Sequence, residues 1–575
     1  MGGIRGLEVI RFHGRYYVRY HRYDGYWDGL GARIIAKIPT DPQEYKEWLE
    51  STRAWWSDKE ALLERHVYET QDGVEPDSAY FDEFEELPSE MPRLSVYGPM
   101  FCYILNLDHQ VLTVDYTMHW KLNKIPREND AWIEAIVRTD VRKLNTIAAT
   151  AEQTASLALE LPQGDRPIVY NHCCVAASQD ISMPSKAFLT NVMARSLVTY
   201  RHEIISFGRE WSPESFPFRE VAFALVSIAS GQAKFCAFPG NRCHPLNCKL
   251  WRCPEWHFDV TNVWVHKDWA GDDGPVLEFA SPVHRPGEPP GASPAETMYW
   301  HEKVLVSLVL SIDGESISKA VEFGIQQGRT NFQIAFLTLF CVKLAEVSLD
   351  GDGKPFLKHC SSLPLSPLRQ SHCLSTHPLD RTKLQPGMKS RRPSWQSIMD
   401  SNCTATSESL QKYFPGLAAL VNFFHVAANR QATSSGGVNL PPELHEHILS
   451  YVDYDTWKAC SVVSTTFRSC CLRKYRINDR MMIAAVPTAR RINLHRELIP
   501  TLSFEFEDMD TGERFLMMIH ESSWNLVQKH NWRPIIGGQR KVLMLDVDVE
   551  YKEVEEEPKE MVKSAQVQGQ HHIHD

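Results

Sequence analysis

Long apolar segments are scarce in this chain of 575 residues. The longest run, residues 332–347, contains Gln333 and Lys343 and falls short of the roughly 20 residues that a helix needs to cross a bilayer. It predicts a buried helix, and we expect no membrane partner. Residues 1–10 lack the apolar core of a signal peptide. We therefore expect a protein of the cytoplasm, the nucleus or both, with its 14 cysteines as reduced thiols.

The chain also lacks an excess of positive charge and the common catalytic motifs. The chain has 61 Lys and Arg against 72 Asp and Glu, a net charge of −11, which does not favour nucleic acid as a partner. No nucleotide loop, nucleophile elbow or solenoid repeat is present. His202 and His301 each precede a Glu, but Ser206 and Leu305 stand where a zinc protease needs its second histidine. We predict no catalytic residue and no cofactor, and we expect both His-Glu pairs to be ordinary polar residues on helix surfaces.

A cysteine-rich stretch at residues 236–257 allows two interpretations. It holds four thiols and two imidazoles, which are the ligands that zinc prefers. The candidate ligands are Cys243, Cys248 and Cys253 together with His244 or His257. The gaps of six, four and four residues contain no Cys-x-x-Cys pair, which favours the alternative of a loop with its tryptophans packed inward. No metal site is predicted.

Hydrophobic periodicity predicts an α+β multidomain protein that is mostly helical. Residues 7–20 and 101–116 have the alternation of two β-hairpins, the second turning at Asp108. Asp41, Pro42 and Glu44 form a helix start. Helical patterns are assigned to 128–162, 185–232, 297–312, 317–347 and 410–429. Residues 477–500 are assigned as helix or irregular, 502–507 and 514–520 as a hairpin, and 541–549 as a strand.

These patterns divide the chain into seven regions. They are an N-terminal α+β region with two hairpins (1–125), a mainly helical body with the cysteine-rich loop (126–350), a disordered basic linker rich in Ser and Pro (351–407), a helix (408–433), a three-helix unit (438–480), a small β-containing region (481–550) and a disordered acidic tail (551–575). For 351–407, a retained non-coding segment is the alternative to a linker. Its basic cluster near Arg391 is read as solvated charge or as a nuclear address.

The three-helix unit carries the most specific pattern. Leu440 and Pro441 precede Pro442, whose fixed φ suits a first helical turn. Leu444, Ile448 and Val452 then recur at spacings of four, which places an apolar stripe on one helix face. Asp453 and Ser464 are candidate caps for two further short helices. Because so few apolar residues lie between the helices, much of this apolar surface is expected to need a partner.

This stretch resembles the F-box family. The family pattern is a Leu-Pro-x-Glu-Leu opening, an Ile-Leu pair and a Val-(Cys/Ser)-x-x-(Trp/Phe)-Arg closing. The matching positions are Leu440, Pro441, Glu443, Leu444, Ile448, Leu449, Val463, Ser464, Phe467 and Arg468. Thr456 and Trp457 stand where the family usually has Asp and Leu, and the indole is expected on or near the binding face. The resemblance covers about forty of the 575 residues.

The resemblance implies a three-helix motif that docks on a Skp-type adaptor and, through it, on a cullin. The adaptor-binding residues it implies are Leu440, Pro441, Glu443, Leu444, Ile448, Leu449, Val463 and Phe467. Three functions stay open: a substrate receptor of a ubiquitin ligase with an unknown protein substrate, an F-box interaction or scaffold protein without such a substrate, and an enzyme in the N-terminal body. Residues 15–31 resemble the N-terminus of fungal proteins of unknown activity, which gives no function.

Overall fold

The structure is a computed structural model. It describes residues 4–71, 84, 88, 90, 92, 94, 101–114, 118–133, 166–199, 204, 208–239, 277–278, 292–365, 414–434, 440–485, 492–494, 497–499, 503–519, 530–538, 541–544 and 549–553. Residues 134–162 of the helix predicted at 128–162 and the candidate zinc ligands at 243–257 lie outside these residues.

The N-terminal region is a five-stranded sheet with helices on one face. Its strands are β1 (Gly6–Phe12), β2 (Arg15–His21), β3 (Phe101–Asn106), β4 (Val111–Val114) and β5 (Met118–Lys121), in the order β2-β1-β3-β4-β5. Only the β1–β3 pair is parallel. The helices are α1 (Ala32–Ala36) and α2 (Pro42–Gln71). Both predicted hairpins are confirmed, and so is the predicted cap, because Asp41 Oδ1 accepts from the backbone N–H of Gln43 and Glu44.

The two hairpin turns of this sheet are joined by one carboxylate. Asp108 accepts hydrogen bonds from the backbone N–H groups of His13 and Gly14, at 2.8 and 2.9 Å. It also accepts from the guanidinium of Arg11 at 2.7 Å. The turn of the first hairpin needs positive φ at His13 (48°) and Gly14 (75°), and these bonds hold it there.

A second sheet, which we call the central sheet, has seven strands. Its strands are β6 (Asn171–Cys174), β9 (Met298–His301), β10 (Val304–Leu308), β11 (Asn331–Leu337), β12 (Cys341–Leu349), β13 (Pro355–His359) and β14 (Leu363–Pro364). The order is β6-β13-β12-β11-β10-β9, with β14 beside β12. The helices around it are α3 (Pro184–Thr199), α4 (Phe216–Ala229), α5 (Gly314–Gln326) and α6 (Pro415–Ser434).

Both faces of the central sheet are covered. Ile334 and Phe336 of β11 pack with Ile317 of α5 on one face. Their neighbours Ala335 and Leu337 belong to the main core, which also contains residues of α3, α4 and α6. This arrangement corrects the prediction of helices at 297–312 and 317–347, which hold strands β9–β12 and only one helix, α5. The mostly helical description therefore holds only in part.

The C-terminal region builds a third sheet with strands from the middle of the chain. It contains β7 (Lys234–Pro239), β8 (Leu277–Glu278), β15 (Met481–Ala485), β18 (Ser503–Asp508), β19 (Arg514–Ile519), β20 (His530–Gly538), β21 (Lys541–Met544) and β22 (Val549–Glu553). The order is β15-β18-β19-β22-β20-β21-β8, with β7 beside β20. A separate hairpin has β16 (Ile492–Leu494) and β17 (Glu497–Ile499). Single-turn helices lie at Trp27–Gly31, Leu122–Lys124, Glu128–Asp130 and Gly208–Glu210.

Three region assignments change as a result. The hairpin predicted at 502–507 and 514–520 is confirmed, but residues 477–500, predicted as helix or irregular, contain strands β15–β17. Strands β13 and β14 lie inside the predicted linker, and β22 extends into the predicted tail. The helix predicted at 410–429 is α6, and it is mostly buried because it packs on the central sheet. No helix in the described ranges has the length and apolarity to cross a membrane.

Candidate functional site

Three short helices follow α6, as the sequence predicts. They are α7 (Pro442–Tyr451), α8 (Tyr454–Cys460) and α9 (Thr465–Arg473). Pro442 occupies the first turn of α7, where its missing N–H costs nothing. Asp453 Oδ1 accepts from the Thr456 N–H at 2.7 Å and caps α8. Ser464 Oγ accepts from the Phe467 N–H at 3.2 Å and caps α9, so both predicted caps are confirmed.

The three helices enclose a small core of their own. It contains Leu449, Tyr454, Trp457, Cys470 and Cys471. Trp457 is only 4% exposed, and its ring lies 5.8 Å from that of Tyr454. The expectation that this indole lies on the binding face is therefore wrong. The indole of Trp457, which is larger than the leucine side chain usual in the family, fills the interior between α8 and α9.

The first of these helices has one inward and one outward face. His445 and Leu449 are buried, and Val452 packs against the small core. Leu444 and Ile448 point outward, with 47% and 39% of their surface exposed. Tyr451, at 77%, extends this outward row. The stripe predicted from the sequence ends at Val452 and omits Tyr451, although a spacing of seven from Leu444 includes it.

Most of the predicted adaptor-binding residues lie on the outside. Leu440 and Val463 are 36% and 45% exposed, and Pro441 and Glu443 are exposed as well. We call the exposed apolar row of Leu440, Leu444, Ile448 and Tyr451 the α7 ridge. It is solvent-facing in this chain, as a surface that binds another protein must be.

Two of the predicted contact residues lie elsewhere. Leu449 is 5% exposed and belongs to the small core, so it supports the ridge from beneath and offers almost no surface to a partner. The ring of Phe467 is half-buried and meets the His445 ring edge-on, at 4.5 Å between centroids. The family pattern does not separate these inward residues from the outward ones.

The side of the unit that faces α6 is bound to the rest of the chain. The Arg468 guanidinium, from α9, donates to Asn429 Oδ1, to His425 Nδ1 at 3.1 Å and to the His425 carbonyl at 3.3 Å. The Tyr454 hydroxyl donates to the Ala233 carbonyl at 3.2 Å. The three helices therefore have one docked side and one free side, and the free side carries the α7 ridge.

Thiol chemistry is not favoured inside this unit. Burial raises the pKa of the Cys471 thiol to about 12, so the thiol stays protonated at neutral pH. The cysteines of this unit, Cys460, Cys470 and Cys471, are free thiols. Cys471 therefore acts as an apolar filler of the small core.

His301 is not the surface residue that the sequence suggested. It lies on β9, it is half-buried, and its Nε2 is 2.9 Å from Ser230 Oγ. Burial lowers the pKa of this imidazole to about 4, followed by the effect of Lys458, so it is neutral at pH 7. Within the described part of the chain, no group of three or more His, Cys, Asp or Glu side chains is arranged to hold a metal ion.

Comparison with known proteins identifies the three-helix unit. Residues 438–478 match the family model of the F-box domain. The chain therefore contains an F-box domain, as the sequence resemblance implied. No curated protein and no solved structure matches the chain. F-box domains commonly bind Skp-type adaptors, and the proteins that carry them have roles in ubiquitin-ligase substrate recognition or in protein interaction.

Proposed function

We propose that this chain is an F-box substrate receptor, which recruits a protein substrate to a Skp-cullin ubiquitin ligase in the cytoplasm or the nucleus. The observation that supports it most is the exposure of the α7 ridge. It is costly to leave a contiguous apolar row in water, and such a row marks a site of protein interaction. The row here consists of Leu440, Leu444, Ile448 and Tyr451.

The ridge suits the insertion of a helix into an apolar groove. Leu444, Ile448 and Tyr451 follow each other at helical spacings of four and three, which is the pattern of anchors in this mode of binding. Glu443 is exposed in the first turn of α7 and supplies a polar group at the edge of the ridge. A few buried anchors carry most of the affinity in such interfaces. We expect Leu440, Leu444 and Ile448 to be among those anchors.

The role of the chain in ubiquitination would be positional. Its F-box is fixed to the body by Arg468 and Tyr454, so a substrate held by the body would keep a defined distance and direction from the adaptor. Holding a substrate lysine near an activated ubiquitin raises the rate through proximity, with no catalytic group from this chain. The larger body before the F-box is our proposed substrate-binding region.

A pull-down of the intact chain, followed by mass spectrometry, tests this function. We expect a Skp-type adaptor, a cullin and at least one further enriched protein. The Leu440→Ala/Pro441→Ala variant should lose the adaptor and the cullin together. Absence of an adaptor from the wild-type sample would contradict the proposal.

Turnover of the enriched protein separates a substrate receptor from an F-box scaffold. In a receptor, removal of this chain lengthens the half-life of the enriched protein. An unchanged half-life, with the adaptor still bound, would favour the scaffold function.

A further inference from the structure

A cavity of about 380 Å³ lies where the F-box meets the body. Its walls come from α3, from α6 and from the F-box helices α8 and α9. Such a volume is within the range of pockets that bind small molecules. Val421, Phe424 and Trp457 give it an apolar side.

The other side of the cavity carries cationic groups from three helices. Lys186 comes from α3, Lys458 from α8 and Arg468 from α9. Lys186 and Arg468 are each 8% exposed. Asp180, whose side chain is largely exposed, approaches Lys186 Nζ only to 3.8 Å. Buried cations need compensation by an anion or by hydrogen bonds, since burial removes their hydration.

The carboxylates that line this cavity are already engaged with other groups. Asp455 Oδ2 lies 2.7 Å from Lys234 Nζ, and both side chains are largely exposed. Glu302 Oε1 accepts from Gln232 Nε2 at 2.7 Å. The buried cations are therefore not matched one to one by the acids that line the cavity.

Two ammonium groups in the cavity wall have spare donor capacity. The Lys458 ammonium makes a long contact of 3.5 Å with the Ala233 carbonyl and lies 5.2 Å from the centre of the Tyr454 ring. Lys186 Nζ donates to Asn422 Oδ1 at 2.7 Å, although an ammonium carries three N–H donors. Each group can therefore donate to a bound anion as well.

A buried hydroxyl lies in the same wall. Ser185, next to Lys186 in the chain, is 2% exposed, and its Oγ has no hydrogen-bond partner among the described residues. A buried hydroxyl without a partner is costly, and an acceptor in the cavity would remove that cost.

The shifted pKa values of two residues that line the cavity agree with a surplus of cationic groups there. Burial, followed by the nearby Lys234, lowers the pKa of Lys458 to about 7. Burial, followed by Arg468 and Lys186, lowers the pKa of His425 to about 4, so this ring is neutral. A bound anion would favour the charged form of Lys458.

We propose that this cavity binds a small organic anion, whose phosphate or carboxylate group is held by Lys186, Lys458 and Ser185 and whose apolar part lies against Phe424 and Trp457. The ligand would contact the body and the F-box at once. Because it binds only the docked arrangement, it stabilises the junction between them. This site is independent of the adaptor surface, since the α7 ridge lies on the other side of the F-box.

Thermal unfolding of the purified full-length chain tests the site without any adaptor. The probes are phenyl phosphate and benzoate, each titrated against sodium chloride at equal ionic strength. We expect a saturable rise of the unfolding midpoint with at least one probe. A response to phenyl phosphate alone identifies a phosphate ligand, and a response to benzoate alone a carboxylate. No saturable rise with either probe would overturn the proposal.

Variants locate the site within the molecule. Lys458→Met should weaken binding of the effective probe at least tenfold. Ser185→Ala is a smaller change in the same wall of the cavity, and it should weaken binding several-fold. Lys319→Met is the matched control, because Lys319 is an exposed lysine on α5, and it should bind as the wild type does. Wild-type affinity in both Lys458→Met and Ser185→Ala would overturn the assignment to this cavity.

Discussion

Arg468, on the last F-box helix, donates from Nη2 to both the ring nitrogen and the carbonyl of His425, on the helix before the F-box, at 3.1 and 3.3 Å. Arg468 is the closing arginine of the F-box pattern, and it is buried here at the junction with the body. The same side chain therefore completes the F-box and fixes its orientation.

Arg468→Ala should lower the free energy of unfolding by about 3 kcal/mol. The substitution removes a side chain that is only 8% exposed and leaves the ring nitrogen and the carbonyl of the half-buried His425 without their donor, and unsatisfied groups at such a site are costly. Urea denaturation measures the change. Arg473→Ala is the control on the same helix: its bridge to Glu446 is exposed, so we expect at most about 0.5 kcal/mol. Equal effects of the two substitutions would show that Arg468 does not hold the junction.

Glu220→Gln should change how stability depends on pH. Glu220, on α4, is fully buried and accepts from the N–H of Ser293 at 2.9 Å. Burial raises its pKa from 4.5 to about 7. Its contribution to stability is therefore complete below pH 4.5 and is lost as the pH rises through 7, because the folded state must then hold a buried charge.

Between pH 5 and pH 7.5, the free energy of unfolding of Glu220→Gln should rise by about 2 kcal/mol relative to the wild type. Urea denaturation at the two pH values measures this difference. Glu50→Gln, at an exposed position of α2, should give no such trend. A constant difference between Glu220→Gln and the wild type would mean that Glu220 does not titrate in this range.

Gly416→Ala should destabilise the chain although alanine is the better helix former. A Cβ at this position, near the start of α6, would lie 2.5 Å from the carbonyl oxygen of Pro364, which is backbone and cannot move aside cheaply. Helix propensity alone predicts a gain of about 1 kcal/mol, and we expect a loss of about 2 kcal/mol. Gly351→Ala has open space around it and should shift the free energy by less than about 0.5 kcal/mol. A stabilised Gly416→Ala protein would show that α6 does not pack this closely on β14.

The F-box was predictable because its signals are local. Pro442, Asp453 and Ser464 mark helix starts within a few residues of the apolar stripes they precede, so the sequence alone gives three helices in the right register. The direction in which each side chain points was harder to predict from the sequence. Ile448 and Leu449 are neighbours in the family pattern, yet the first faces solvent and the second faces the small core.

The apolar pattern of the central sheet predicts helix instead of strand for a physical reason. In β11, Phe332 and Ile334 face α5 while Ala335 and Leu337 face the main core, so both faces are apolar. Alternation is visible only where one face of a strand meets water. The continuous apolar run that results has the length of a buried helix. The C-terminal sheet was missed in part because β7 and β8 reach it from far away in the sequence, which no local pattern reveals.

The most direct test of the central claim is the affinity of the purified full-length chain for a purified Skp-type adaptor. Leu444→Ala/Ile448→Ala removes two exposed anchors of the α7 ridge, and it should weaken binding about 100-fold, or ~3 kcal/mol, with little change in the unfolding midpoint. Val169→Ala/Val175→Ala, two exposed valines outside the F-box, should bind as the wild type does. Wild-type affinity of the Leu444→Ala/Ile448→Ala protein would contradict the account.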